Sequence, residues 1–436
     1  VSIDQTMGRM PIGFQSVDRV RETVTRRIID KNTRRVGAPD YDSVVVAGNG
    51  IGALSFAARM ARSDEFAGKV TIVAPPIEET RKLINGVSLR GRAADYISSA
   101  IGCTHTQLVQ AITDYGSGKP ACYRQTSSMA AQGRDGSWNF SRIGAWQGGH
   151  GGSDRPIVYG ARNSRVTGGM WDLMADLGIR HIEEKAESAE RMRAMANGTR
   201  PLLVNATTNP RLLGAEATTP VRMVLAVQVP FMVKPGGIAY PLQSSSAYAP
   251  LIRRNGIIDV GYFTPFADPL SPRSTWYGIF ARVVDVGSGF DKDEELAIMT
   301  DELFGVGDAL GLEPDDPDET LARALVPAAG FWGAPASAPG TLELKRAYSG
   351  GAPCFYADGM ISAALGGLLA AEAVMKGDDA DRVVRRALRP LRWHNYIWWV
   401  ETTRIAVVAD ALMRLNVNLA MAYPHTAGMR LWAASA

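Results

Sequence analysis

The 436 residues carry 47 Lys and Arg against 44 Asp and Glu, a net charge of +3, which over this length argues against a nucleic-acid partner. Hydrophobic residues make up 46% and charged ones 21%, a globular balance with enough core for two associated domains. Cys103, Cys122 and Cys354 lie far apart and the five histidines form no HxxxH pair, which excludes a disulfide scaffold and a zinc site and fits a reducing, cytoplasmic compartment. No run of about 18 apolar residues suggests a membrane span, and no apolar stretch follows the N-terminal arginines as a secretory signal would require.

Residues 1–40 read as an extension. Val20, Val24 and Ile28 at helical spacing predict an amphipathic helix from Ser16 to about Lys31. It either rests on the body or, through its arginines, serves as a basic docking arm. Asp42 to Ala47 is an apolar run, the pattern of a buried parallel strand. A helix follows from Leu54 to Arg62 and a second strand from Lys69 to Ala74, completing a βαβ unit. Residues 151–168 are rich in Gly, Ser and Asn and read as loop. Helices are expected over Gly169–Leu177 and around Ala186–Ala196, and a buried strand over Pro201–Ala206. Between 217 and 285, Arg222–Val229, Gly256–Gly261 and Trp276–Val284 alternate between turn residues, as antiparallel strands do. Glu294 to Leu310 reads as helix, Glu313 to Glu319 as a solvated acidic loop or helix start, and 380–420 as mostly helical.

The chemistry concentrates at Val44-Val-Val-Ala-Gly48-Asn-Gly50-Ile-Gly52-Ala53, a GxGxxG/A fingerprint between a strand and a helix. Gly48 makes the turn, Gly50 lets a pyrophosphate approach the backbone, and Ala53 permits close helix–strand packing. The helix N-terminus then offers amides and a positive dipole end to the phosphates. The usual acid at the end of the second strand is missing: the chain reads Ala74-Pro75-Pro76, with Glu78 or Glu79 as substitutes from the loop. Far downstream, Phe355-Tyr-Ala-Asp358-Gly359 reads as a strand ending in an acid, and Ala364-Leu-Gly366-Gly367 opens a helix. In flavoproteins of the glutathione-reductase type such an acid holds the ribityl chain, and the helix N-terminus faces the flavin pyrimidine. Asp358, Gly366 and Gly367 match that arrangement.

With these motifs the chain resembles the FAD-dependent monooxygenases of the p-hydroxybenzoate hydroxylase fold, and among them the oxygenase component of the styrene and indole monooxygenases. Arg81-Lys82-Leu83-Ile84-Asn85 is similar to that group's Arg-Leu-Leu-Asn loop, with Lys82 at the arginine position and Asn85 at the asparagine. Arg162 or Arg165 matches an arginine that contacts FAD. Pro201 to Asn209 is similar to the strand that ends Cys-Thr-Gly in those enzymes, and Arg386 to Trp393 to the start of their C-terminal helices. The resemblance implies an α/β fold: a Rossmann-like FAD-binding domain (41–215 and 341–378), an inserted antiparallel-sheet substrate domain (216–340), an N-terminal extension (1–40) and C-terminal helices (379–436). It implies epoxidation or hydroxylation of a small apolar alkene or aromatic substrate with O2, through a C4a-hydroperoxyflavin. Asn205-Ala-Thr-Thr stands where single-component hydroxylases carry Gly-Ala-Asp-Gly, so reduced flavin is expected from a separate reductase.

The sequence departs from the family at the later motif: Ala357 precedes Asp358, no proline intervenes, and the spacing to Gly366 is short. A non-redox flavoprotein of the same fold, resembling the lycopene cyclases, is therefore an alternative, as is a non-catalytic flavin-binding protein. No catalytic residue is assigned, because the chemistry would be borne by the flavin; Asn85 and His394 are the candidates. Trp393, Tyr396, Trp398 and Trp399 would line an aromatic pocket, pack a core or form a homodimer face. His150, within Gly148-Gly-His-Gly-Gly152, sits on a lid or a plain loop, and Cys354 reads as a small core residue.

Overall fold

The computed structural model describes residues 23, 25–34, 37–76, 86–114, 123–132, 138–142, 158–209, 211–214, 222–235, 245–252, 258–265, 276–285, 289–327, 337–349 and 359–389. A helix over 25–32 (α1) precedes β1 (Ser43–Ala47), α2 (Ile51–Ala61) and β2 (Val70–Val73). Next come β3 (Gly86–Arg90), α3 (Gly91–Ile101), α4 (His105–Asp114), β4 (Tyr123–Gln132), β5 (Trp138–Arg142), β6 (Val158–Arg162) and α5 (Asn163–Met174). The chain continues through β7 (Arg180–Ile182), α6 (Ala189–Ala194), β8 (Pro201–Asn205), β9 (Arg222–Val233), β10 (Ser245–Ile252), β11 (Ile258–Pro265), β12 (Trp276–Asp285) and α7 (Lys292–Ala309). It closes with β13 (Leu312–Pro314), α8 (Pro317–Thr320), β14 (Ala322–Pro327), β15 (Thr341–Leu342), α9 (Leu344–Ser349), α10 (Gly359–Met375) and α11 (Ala380–Ala387).

The first sheet is parallel, in the order β15-β8-β1-β2-β7. Val44, Val45 and Val46 are fully buried, because helices cover both faces. On one face α2, α3, α5 and α10 share a core through Leu54, Phe56, Ile97, Met170 and Leu368; on the other α6 packs through Met192 on Val45 and Leu203. Small residues let α2 and α10 approach closely: a Cβ on Gly367 would collide with the Gly52 carbonyl oxygen and crowd Ser55.

The second sheet runs β13-β9-β12-β11-β10-β4-β6-β3, with β14 also on β9 and β5 on β4. Its pairs are antiparallel except β10 with β4. Phe231, Phe263 and Phe280 pack under Leu296, Met299 and Leu303 of α7. The buried Arg282 pairs with Glu295 of the same helix.

The expected strands over 222–284 are present, but the sheet also takes in β3 to β6, from residues expected to lie with the first domain. Residues 163–168, expected as loop, are the first turns of α5. Gly169 is mid-helix, and a Cβ there would lie 2.8 Å from the Ile112 nitrogen of α4; its glycine serves helix–helix contact rather than a turn. The expected helix from Ser16 is described only from 25 onward with residue 23, and the region expected to be helical over 380–420 only over α11. No helix among the described residues is long and apolar enough to cross a membrane.

Candidate functional site at the carboxyl end of the parallel sheet

The site begins where β1 leaves the sheet between β2 and β8. Gly48 has φ +109, its amide donates to the Val73 carbonyl at 3.0 Å, and a Cβ would lie 3.2 Å from the Ala206 oxygen. Only glycine adopts this turn without strain. Gly50 is the N-cap of α2, with extended backbone and no capping side chain, and the first turn holds no acidic residue. Among the described residues, a Cβ on Gly50 would meet nothing within 4 Å. The first-turn amides of a helix lack intrahelical partners, so this end is open and positively polarised. Ala53 is buried at the helix–strand contact, as expected.

Gly52 has a different duty. A Cβ on it would stand 2.6 Å from Cε1 of Tyr348, and one on Gly366 would collide with Cβ of the same tyrosine. The two glycines make a seat for Tyr348, which α9 carries between α2 and α10. Gly366 and Gly367 lie two turns inside α10, which starts at Gly359 rather than at the glycine pair. They serve packing, and the N-terminus expected at them lies elsewhere.

The last strand of the parallel sheet is β15, with Leu342 opposite Val204 of β8, and the acid that ends it is Glu343. Its side chain is 1% exposed. Oε2 accepts from Asn205 Nδ2 at 2.9 Å, while Oε1 is buried without a hydrogen-bond partner. Asn205 Nδ2 also donates to the Asn209 carbonyl at 2.8 Å, and its Oδ1 accepts from the Thr207 amide and hydroxyl at 3.0 and 2.7 Å. Burial pushes the Glu343 carboxyl up to about 7, against the opposing pull of the Arg346 charge and the Asn205 hydrogen bond. Sequence reading missed Glu343, because a two-residue strand leaves no periodicity to detect.

Arg162 ends β6, opposite Gly86 of β3, and is the N-cap residue of α5; Arg165 lies in the first turn of that helix rather than before it. Both are buried. Lys82 and Asn85 lie outside the described residues. Asp358, His394, Glu78, Glu79, His150, Cys354 and the aromatic residues at 393–399 also lie outside the described residues. At the end of β2, where the acid is missing, His181 Nε2 stands 3.3 Å from the Ala74 carbonyl. A polar cavity of about 670 Å³, lined by Arg59, Arg62, Asp95, His105, Glu372 and Lys376, sits at the other end of α2, away from the fingerprint.

No protein-family model matches the sequence, and neither does any curated protein. Solved structures do share the fold. A geranylgeranyl bacteriochlorophyll reductase-like protein from Thermoplasma acidophilum aligns with a TM-score of 0.55 and 12% identity, over 89% of this chain and 98% of that one. A triple mutant of the flavin-dependent brominase Bmp2 aligns with a TM-score of 0.53 and 12% identity, over 90% and 94%. At this identity the likeness shows the fold.

Proposed function

We propose that the protein is an FAD-dependent oxidoreductase acting on an apolar substrate, and in its finer form a monooxygenase that inserts one oxygen atom of O2. The carrying observation is the fingerprint turn: a buried strand, Gly48 at positive φ, and an uncapped helix end with free space at Gly50. The residues fit the cofactor. The turn from Gly48 to Ala53 would hold the diphosphate. Glu343, which follows β15 and has a buried oxygen without a hydrogen-bond partner, would accept from a ribityl hydroxyl. Bound there, FAD supplies two-electron redox chemistry and, once reduced, reaction with O2.

The chain's part is to hold the cofactor, place the substrate and exclude water. On β9 and β12, the face away from α7 presents Val224, Ala226, Ile279 and Ala281, half-buried, and the Tyr277 hydroxyl donates to Gln228 Oε1 at 3.2 Å. Such a wall suits an apolar body with one polar group. Asn205 is engaged by Glu343, Asn209 and Thr207, which supports a separate reductase over a nicotinamide site here. The fold of the Thermoplasma protein favours a second reading, reduction of a carbon–carbon double bond in an isoprenoid-like chain.

The test is to load the protein with FAD, photoreduce it, and add alkene, arene and isoprenoid substrates with and without 18O2. Label in the product supports the monooxygenase. Anaerobic product formation with flavin reoxidation supports the reductase, and an isomerised product with unchanged flavin supports the non-redox cyclase. Failure to retain FAD overturns all three.

A further inference from the structure

Between the last strand of the parallel sheet and α10, the chain makes a six-residue helix, α9, whose packing none of the fingerprint roles explains. Tyr348 fills the gap between Gly52 and Gly366 and is 5% exposed, so its ring covers the first turn of α2. The Lys345 ammonium stands over that ring, 5.3 Å from its centroid. The ring lies against Gly52, in the first turn of α2, where the helix dipole is positive. Acidic side chains and side-chain caps normally offset that potential, and α2 has neither. The buried Arg346 adds a second positive charge on α9. Glu343, directly before α9, holds a buried oxygen without a hydrogen-bond partner, so an incompletely satisfied polar group adjoins the same segment.

Resting on the FAD reading above, we propose that Lys345, steered by the Tyr348 ring, is a side-chain anion contact for the cofactor diphosphate, which it shares with the α2 amides. The cation–π contact restrains the ammonium of a flexible side chain, so less freedom is lost when the phosphate arrives. The two glycines at 52 and 366 then have a purpose in binding, since they create the seat for the ring that positions the lysine.

Affinities for FAD, ADP and riboflavin, measured by fluorescence or calorimetry at several salt concentrations, test this. Lys345→Met is expected to weaken FAD and ADP roughly tenfold, as for a lost charge-assisted hydrogen bond, to flatten the salt dependence, and to leave riboflavin unchanged. Lys345→Arg and Tyr348→Phe, which keep the charge and the ring, are expected to stay near wild type. Unchanged FAD and ADP affinity in Lys345→Met, or an equal loss for riboflavin, overturns the proposal. A wild-type protein that binds neither FAD nor ADP overturns the FAD reading itself.

Discussion

The two ends of α2 are built in opposite ways. At the carboxyl end the charges meet partners. Arg59 Nε donates to Glu372 Oε1 at 2.6 Å, and Lys376 lies 3.8 Å from Glu372 Oε2 and donates to Thr33 Oγ1 at 2.7 Å. Arg62 donates to the Ser99 and Ala100 carbonyls that finish α3, and His105 Nδ1 meets Asp95 at 2.9 Å. Cations at helix C-termini are where the dipole wants them, and this end is complete within the fold. At the amino end the first turn of α2 carries no acid and no side-chain cap, a Cβ on Gly50 would meet nothing within 4 Å among the described residues, and Lys345 stands over the Tyr348 ring that lies against Gly52. One end of the helix is finished by the chain, and the other is the end proposed to take an anion.

The comparison breaks most sharply at the glycines. Gly50→Val puts branched carbons into space that a ligand would use, and its extended backbone accepts valine. FAD affinity is expected to fall at least about a thousandfold, roughly 4 kcal/mol, with the thermal midpoint lowered only slightly by the poorer N-cap. Gly367→Ala should do the reverse. Its methyl collides with the Gly52 carbonyl, and overpacking of about 1–3 kcal/mol exceeds the helix-propensity gain of about 1 kcal/mol. Urea unfolding and FAD titration of both variants separate the two effects. A Gly50→Val protein that binds FAD normally would remove the distinction between an open end and a packed one.

Glu343 gives the next largest effect, read on the stability of the cofactor-free protein. Its folded-state pKa is raised from 4.5 to about 7, so the protein without cofactor is most stabilised with the carboxyl protonated. That contribution is full below about pH 4.5 and is lost as pH rises through about 7, amounting to about 3 kcal/mol. Glu343→Gln cannot ionise and keeps an acceptor for Asn205. Its stability relative to wild type should therefore improve steadily between pH 4.5 and 8 in chemical unfolding. A difference independent of pH would show that the carboxyl is not charging inside the fold.

What the sequence made legible follows from how local each signal is. The strand–turn–helix from Ser43 to Ala61 and the strands at 70–73 and 201–205 announce themselves by unbroken apolar runs, since parallel strands are buried on both faces. The fingerprint glycines read correctly where backbone geometry is local, as at Gly48. Sequence cannot show a reason that lies in a distant partner: Gly52 and Gly366 meet Tyr348, and Gly169 meets α4. Glu343 was invisible because β15 is two residues long and owes its place to β8. The strands from 86 to 162 lacked clear alternation, and pairing partners far along the chain hold them, β4 with β10 among them.

The smallest effect lies at the finished end. Arg59 and Glu372 are linked at 2.6 Å, with side-chain exposures of 24% and 9%, so the pair is partly screened and its coupling should be modest. A double-mutant cycle of Arg59→Met and Glu372→Gln is expected to give a coupling of about 0.5–1 kcal/mol in urea unfolding. The Glu372→Gln single variant should lose more than Arg59→Met, because it also leaves Lys376 without its carboxylate. Neither change should move FAD affinity, for the pair sits about two and a half turns from Gly50 along a helix whose dipole acts only near its ends. A matching loss of FAD affinity would mean that the two ends of α2 are energetically one site, and that the pairing of charges at the carboxyl end exists to serve binding at the other.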